Sequence, residues 1–149
     1  MVDTRQLPVN FFMLEPFTLN NRTFLKRFLV KLFKKEGVKL AGLSYIFCSD
    51  NYLLNINQQY LKHDDYTDII TFPLSEGPEG ITGEIYISID RVRENARMFN
   101  TSFTKELHRV IFHGALHLCG YKDKSPKDKK AMTLAEDRNL QSFFRSLKQ

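Results

Sequence analysis

A chain of 149 residues, 42% hydrophobic with 13 Phe and 6 Tyr, can bury one sizeable core and is short for two domains. Two cysteines, Cys48 and Cys119, and no long apolar opening stretch argue against a disulfide scaffold, a signal peptide or a membrane span, so a reducing cytoplasm is the expected location. The formal net charge of +5 suits a polyanionic partner.

The first strand is expected at Val9 to Leu14, which is short, apolar and aromatic. Phe24, Leu25, Phe28, Leu29, Leu32 and Phe33 then recur at the spacing of an amphipathic helix, with Lys26, Arg27, Lys31, Lys34 and Lys35 on its outer face. A second strand covers Leu43 to Cys48, and a helix runs from about Asp50 to Lys62. Ile69, Ile70, Thr71 and Phe72 form a β-rich run stopped by Pro73. The stretch from Ser75 to Gly83, with Gly77, Pro78 and Gly80, reads as a loop. Beyond it Ile85, Ile87 and Ile89 alternate with Glu84, Tyr86 and Ser88, so a hairpin joins the two strands. A helix from Asp90 to Phe99 follows, and another from near Ser102 to Gly120. Ser125-Pro126-Lys127-Asp128 caps the start of a last helix that turns Met132, Ala135, Leu140, Phe143 and Leu147 inward. The order β-α-β-α-β-β-α-α-α over residues 1–149 describes one α+β domain, a mixed sheet of about four strands packed with about five helices.

The chemistry concentrates in His113-Gly114-Ala115-Leu116-His117-Leu118-Cys119-Gly120-Tyr121-Lys122-Asp123. Histidines four apart on a helix differ by about 40° of rotation and roughly 6 Å of rise, so both rings reach one ion. Gly120 can end the helix in a left-handed conformation and carry Asp123 back toward the same point. Two imidazoles and a carboxylate suit zinc, with a fourth position left for water. The run fits the metzincin frame H-E-x-x-H-x-x-G-x-x-H at both His and at the glycine, with Asp123 at the third ligand position. Gly114 stands where a metallopeptidase needs its glutamate base, which argues against that activity. A structural reading instead makes the two His a buried polar pair and Gly120 a helix stop. Cys119 is about 200° round the helix from His117 and reads as a core residue. His108 falls on another face, and His63 sits in a polar loop.

The order of elements and three blocks of sequence resemble the YbeY family of bacterial ribosome-maturation endoribonucleases. The family signature H-G-x-L-H-L-x-G-Y-D-H is met by His113 to Asp123. Its upstream block is met by Asn55, Tyr60 and Thr67-Asp68-Ile69-Ile70-Thr71-Phe72-Pro73, and its Gly-Asp-Ile strand by Gly83-Glu84-Ile85. Asp123 stands where the family usually has a third His, and Leu61 where it commonly has Arg, followed by Lys62. The resemblance implies a zincin-like fold carrying one zinc ion on His113, His117 and Asp123. It implies a single-strand-specific endoribonuclease that processes precursor small-subunit (16S) ribosomal RNA, with Lys62 as the substitute phosphate contact. Ribosomal RNA, the small ribosomal subunit and a ribosomal or assembly-factor protein are the implied partners, with no membrane role. The alternatives are a metal-stabilised assembly factor without catalysis and, less well matched, a metallopeptidase. An ion of this kind lowers the pKa of water and polarises a phosphoryl oxygen. With Gly114 in place of glutamate, Asp68 and Glu84 are the carboxylates to consider as proton acceptors.

Overall fold

The computed structural model describes residues 7–61 and 66–148. Lys62 and His63 therefore lie outside the described residues. The sheet contains β1 (Val9–Met13), β2 (Leu40–Cys48), β3 (Ile69–Gly77) and β4 (Gly80–Ser88), and the helices are α1 (Arg22–Lys35), α2 (Asp50–Ile56), α3 (Ile89–Met98), α4 (Phe103–Leu118) and α5 (Pro126–Leu147). The α+β architecture with four strands and five helices is as the sequence implies.

Strand order is β1-β2-β4-β3, with β1 and β2 parallel, β2 and β4 parallel, and β3 and β4 antiparallel. Alternation along the strands turns Val9 of β1, Leu43, Tyr45 and Phe47 of β2, and Ile85 and Ile87 of β4 to one face. There they pack with Leu25, Leu29, Leu32 and Phe33 of α1 and with Ile111, Phe112, Ala115 and Leu116 of α4. Each such side chain fully removed from water contributes about 1.5–3 kcal/mol. Tyr45 is wholly buried, and its hydroxyl donates to the Ile111 carbonyl at 2.8 Å, which satisfies the polar atom and ties α4 to the central strand. A smaller cluster of Cys48, Leu53, Ile56 and Ile70 seats α2 elsewhere.

Three expectations are corrected. Ser75 to Gly83 is not a loop, because the ladder runs on to Gly77 opposite Gly80, leaving only Pro78 and Glu79 as the turn. Nor does Pro73 stop β3. It pairs with Gly83 beside a bulge, and β3 is an edge strand, where a missing N–H is tolerated. The helix begun at Asp50 also changes character, with a π-helical turn over Asn57–Leu61.

Helix α4 begins at Ser102, whose hydroxyl accepts from the Lys105 N–H at 3.0 Å, and it lies close against the hairpin. Two glycines permit this approach. A Cβ on Gly114 would come within 2.9 Å of Ile85 Cδ1 and 3.0 Å of Ile69 Cδ1, and one on Gly83 within 2.7 Å of Leu118 Cδ1. His108, on another flank of α4, is 4% exposed among Phe112, Phe143 and Phe144.

Gly114→Val is expected to cost about 2 kcal/mol through overpacking, read as a lower urea midpoint, and Ile85→Ala should cost less in that background than in the wild type. Burial holds the His108 pKa below its ordinary 6.5, although its bond to the Thr104 carbonyl opposes this. The unfolded chain then takes up a proton below that value while the folded chain resists it, so stability falls as pH falls through 6.5. His108→Phe should lose less stability than the wild type between about pH 7 and about pH 5 in urea titrations.

Candidate metal centre

The shape of the segment from His113 to Asp123 follows from how α4 ends. Gly120 takes φ +106°, its N–H donates to the His117 carbonyl at 3.0 Å, and the Tyr121 N–H donates to the Leu116 carbonyl at 3.0 Å. These paired bonds are a Schellman closure, and they turn the chain back along the helix. Asp123 is thereby returned to the two histidines.

Asp123 Oδ2 lies 3.4 Å from His113 Nε2 and 3.3 Å from His117 Nε2. All three donor atoms lie within 4.8 Å of one another. Donors held about 2.0–2.2 Å from a tetrahedral ion stand about 3.3–3.5 Å apart, so both measured edges suit a zinc-sized ion. The two imidazoles are also aimed correctly. His113 Nδ1–H donates to Glu136 Oε2 at 2.6 Å, and His117 Nδ1–H donates to the Tyr121 carbonyl at 2.9 Å. A carbonyl only accepts, so in neutral His117 the lone pair sits on Nε2, facing the cluster. The chemistry of this donor set fits a divalent cation, and the residues that could hold it are His113, His117 and Asp123.

Glu136 was not singled out from sequence, although a signal was present. It occupies an inward position on α5 between Met132 and Leu140, where the apolar period assigns a core residue. It is 7% exposed, and its other oxygen accepts from Arg109 Nη1 at 2.8 Å, while Arg109 Nη2 donates to Asp137 at 2.7 Å. The carboxylate that orients His113 is thus itself paired and held. Burial pulls the His113 pKa down, but the Glu136 hydrogen bond and the charges of Glu136, Asp123 and Asp68 outweigh it, leaving the ring above its ordinary range.

The cluster opens into a cleft of about 870 Å³ between α4 and the outer edge of β3, lined also by Thr67, Asp68, Glu106 and Lys124. Asp68 is held above the usual carboxylate range mainly by burial, against the lowering effect of His113, and it accepts from Asn95 Nδ2 at 3.4 Å. Glu84 is not brought here. It lies between Gly83 and Ile85 on β4, so its side chain takes the sheet face away from α4, where it accepts from the Tyr86 hydroxyl at 3.3 Å. Cys119 packs against the main core, and burial pushes its thiol up to about 12, so it is a poor source of the thiolate a metal requires.

Two histidines on a sheet-packed helix and a carboxylate from the turn after it give this α+β domain an open donor set that could hold one metal ion. The family model described as Endoribonuclease YbeY matches residues 16–144. The chain belongs to the YbeY family. It is 49% identical over 124 residues to the Endoribonuclease YbeY of Cytophaga hutchinsonii, covering 83% of this chain and 87% of that one. With the Endoribonuclease YbeY of Flavobacterium psychrophilum it shares 50% identity over 127 residues, 85% of this chain and 90% of the relative. Its structure is similar to a Thermotoga maritima protein solved in solution, with TM-score 0.61 and 30% identity, covering 94% of this chain and 91% of that chain.

Glu136→Gln should weaken zinc binding about 10–100-fold by loosening His113, as read by competition with a chromophoric chelator. Helicity should be unchanged by circular dichroism.

Proposed function

We propose that this chain is a zinc-dependent, single-strand-specific endoribonuclease that processes precursor small-subunit (16S) ribosomal RNA in the cytoplasm. The observation that carries the reading is the convergence of His113, His117 and Asp123 in an open cleft of a YbeY-family domain. A zinc ion there supplies positive charge that lowers the pKa of water and polarises a phosphoryl oxygen.

The chain's own residues do the rest. Glu136 and the Tyr121 carbonyl fix the two rings with Nε2 toward the ion. Asp68 lines the same cleft, where burial raises it above the usual carboxylate range, and is the candidate acceptor for a proton from water. Lys124 at the cleft brings a positive charge toward a bound phosphate. Lys62 is assigned a phosphate contact on the family resemblance alone. The partners proposed are ribosomal RNA within the small ribosomal subunit and a ribosomal or assembly-factor protein that selects the cleavage position. Among the described residues no helix is long and apolar enough to cross a membrane.

A peptidase reading lacks its base for a steric reason. Gly114 is turned into the sheet against Ile85 and Ile69, so a glutamate there would meet the core before it met water.

The test compares purified wild type with His117→Ala, measuring zinc content and cleavage of precursor ribosomal RNA. About one zinc per chain with cleavage is expected for wild type, and a folded variant deficient in both. Cleavage retained by the zinc-depleted variant would overturn a zinc-dependent reaction. Absence of cleavage by both, in the presence of small subunits as well, would favour an assembly factor without catalysis.

A further inference from the structure

One helix, α1, carries six of the 22 basic residues. Arg22, Lys26, Arg27, Lys31, Lys34 and Lys35 are the charged residues of α1, which has no acid, and together they exceed the formal net charge of +5 for the whole chain. Arg27, Lys31 and Lys35 follow at i, i+4 and i+8, so they stand one above another with about 6 Å of rise between them. Like charges at that spacing destabilise a helix, and no ion pair among the described residues offsets them. Lys35 lies in the last turn, where the helix dipole favours it; Arg27 and Lys31 gain nothing from that dipole, and a polyanion would neutralise all three.

The column forms one wall of a groove of about 470 Å³, and the other wall comes from α5. There Asn139, Ser142 and Ser146, uncharged and able to hydrogen-bond, recur at i, i+3 and i+7. One end of the groove, at Lys35 and Asn139, leads to the candidate centre. Asn139 is one turn along α5 from Glu136, which orients His113. Lys35 adjoins Glu36, which faces the phenol of Tyr121. That phenol donates to the Glu36 carboxylate, and the Tyr121 carbonyl orients His117.

We propose that the α1–α5 groove binds the ribose-phosphate backbone of the RNA substrate. Arg27, Lys31 and Lys35 neutralise successive phosphates, and Ser142, Ser146 and the second N–H of Asn139, whose first donates to the Ala135 carbonyl at 2.8 Å, offer hydrogen bonds to phosphate or ribose oxygens. This rests on the ribonuclease reading above and adds to it an extended site outside the cleft. Contacts of this kind hold the strand in place without reading its sequence.

The test uses the full chain and a fluorescein-labelled, unstructured single-stranded RNA, with chelator present to suppress cleavage and anisotropy followed against salt. A triple variant, Arg27→Gln with Lys31→Gln and Lys35→Gln, keeps good helix formers in α1. A matched triple, Lys39→Gln with Lys105→Gln and Lys148→Gln, removes the same charge elsewhere. Loss of three phosphate contacts should make the slope of log affinity against log salt shallower by about 2 and weaken low-salt binding at least about tenfold. The matched triple should stay near wild type. A groove variant no weaker than the matched triple, while wild type binds and zinc-loaded wild type cleaves, would overturn the groove assignment alone. Wild type that neither binds nor cleaves would sink the ribonuclease reading and this one with it. Unchanged RNA affinity in the groove variant, with binding to phosphatidylglycerol vesicles lost, would assign the groove to a membrane surface and overturn the proposal.

Discussion

The close seating of α4 on the β3–β4 hairpin is the constraint on which the site depends. Gly114 and Gly83 leave room for Ile85, Ile69 and Leu118 where a methyl group would collide, and this fixes both the height and the rotation of the helix. With Gly114 turned into the sheet, His113 and His117 fall on the flank that opens toward the outer edge of β3. Leu118 then packs over Gly83, and the helix ends where Gly120 can take its positive φ and send Asp123 back. A bulkier residue at either glycine would displace the donor atoms as well as the core, so packing and site geometry are one problem in this fold.

The second dependence is on α5. Glu136 holds His113, Arg109 holds Glu136, and Asp137 takes the other arm of the Arg109 guanidinium. A buried carboxylate between an imidazole and a guanidinium is costly if either partner leaves, so docking of the last helix and orientation of the first donor ring are coupled. The Tyr121 carbonyl plays the matching part for His117, and it comes from the turn itself. The positive charge on α1 belongs to neither device, which is why it invites a role at the surface.

Periodicity made the helices legible. The stripes of α1 and α5 were readable because their apolar positions face one core, and the His113–His117–Asp123 cluster because helix rotation and a terminating glycine follow from elementary geometry. The hairpin was legible too, but not the run of its ladder through Ser75–Gly77 and Gly80–Gly83, since Gly and Pro side chains give no strand signal while the ladder pairs backbone groups. Glu84 was considered beside Asp68 on residue type alone, but strand alternation separates their faces. Glu136 went unread because its partner is 23 residues away in sequence, and only the packing of α5 on α4 brings the two together. The parallel pairing of β2 with both β1 and β4 is likewise a tertiary outcome.

The proposed centre seats one ion on two imidazoles of α4 and the carboxylate of Asp123. X-ray absorption at the zinc edge of the zinc-loaded protein tests it most directly, read beside Asp123→Ala. The expected result is a light-atom first shell at about 2.0–2.1 Å with two-imidazole scattering in both proteins, and an altered oxygen contribution and weaker zinc retention in the variant. A sulfur shell near 2.3 Å, or three-imidazole scattering unchanged by the substitution, would contradict it.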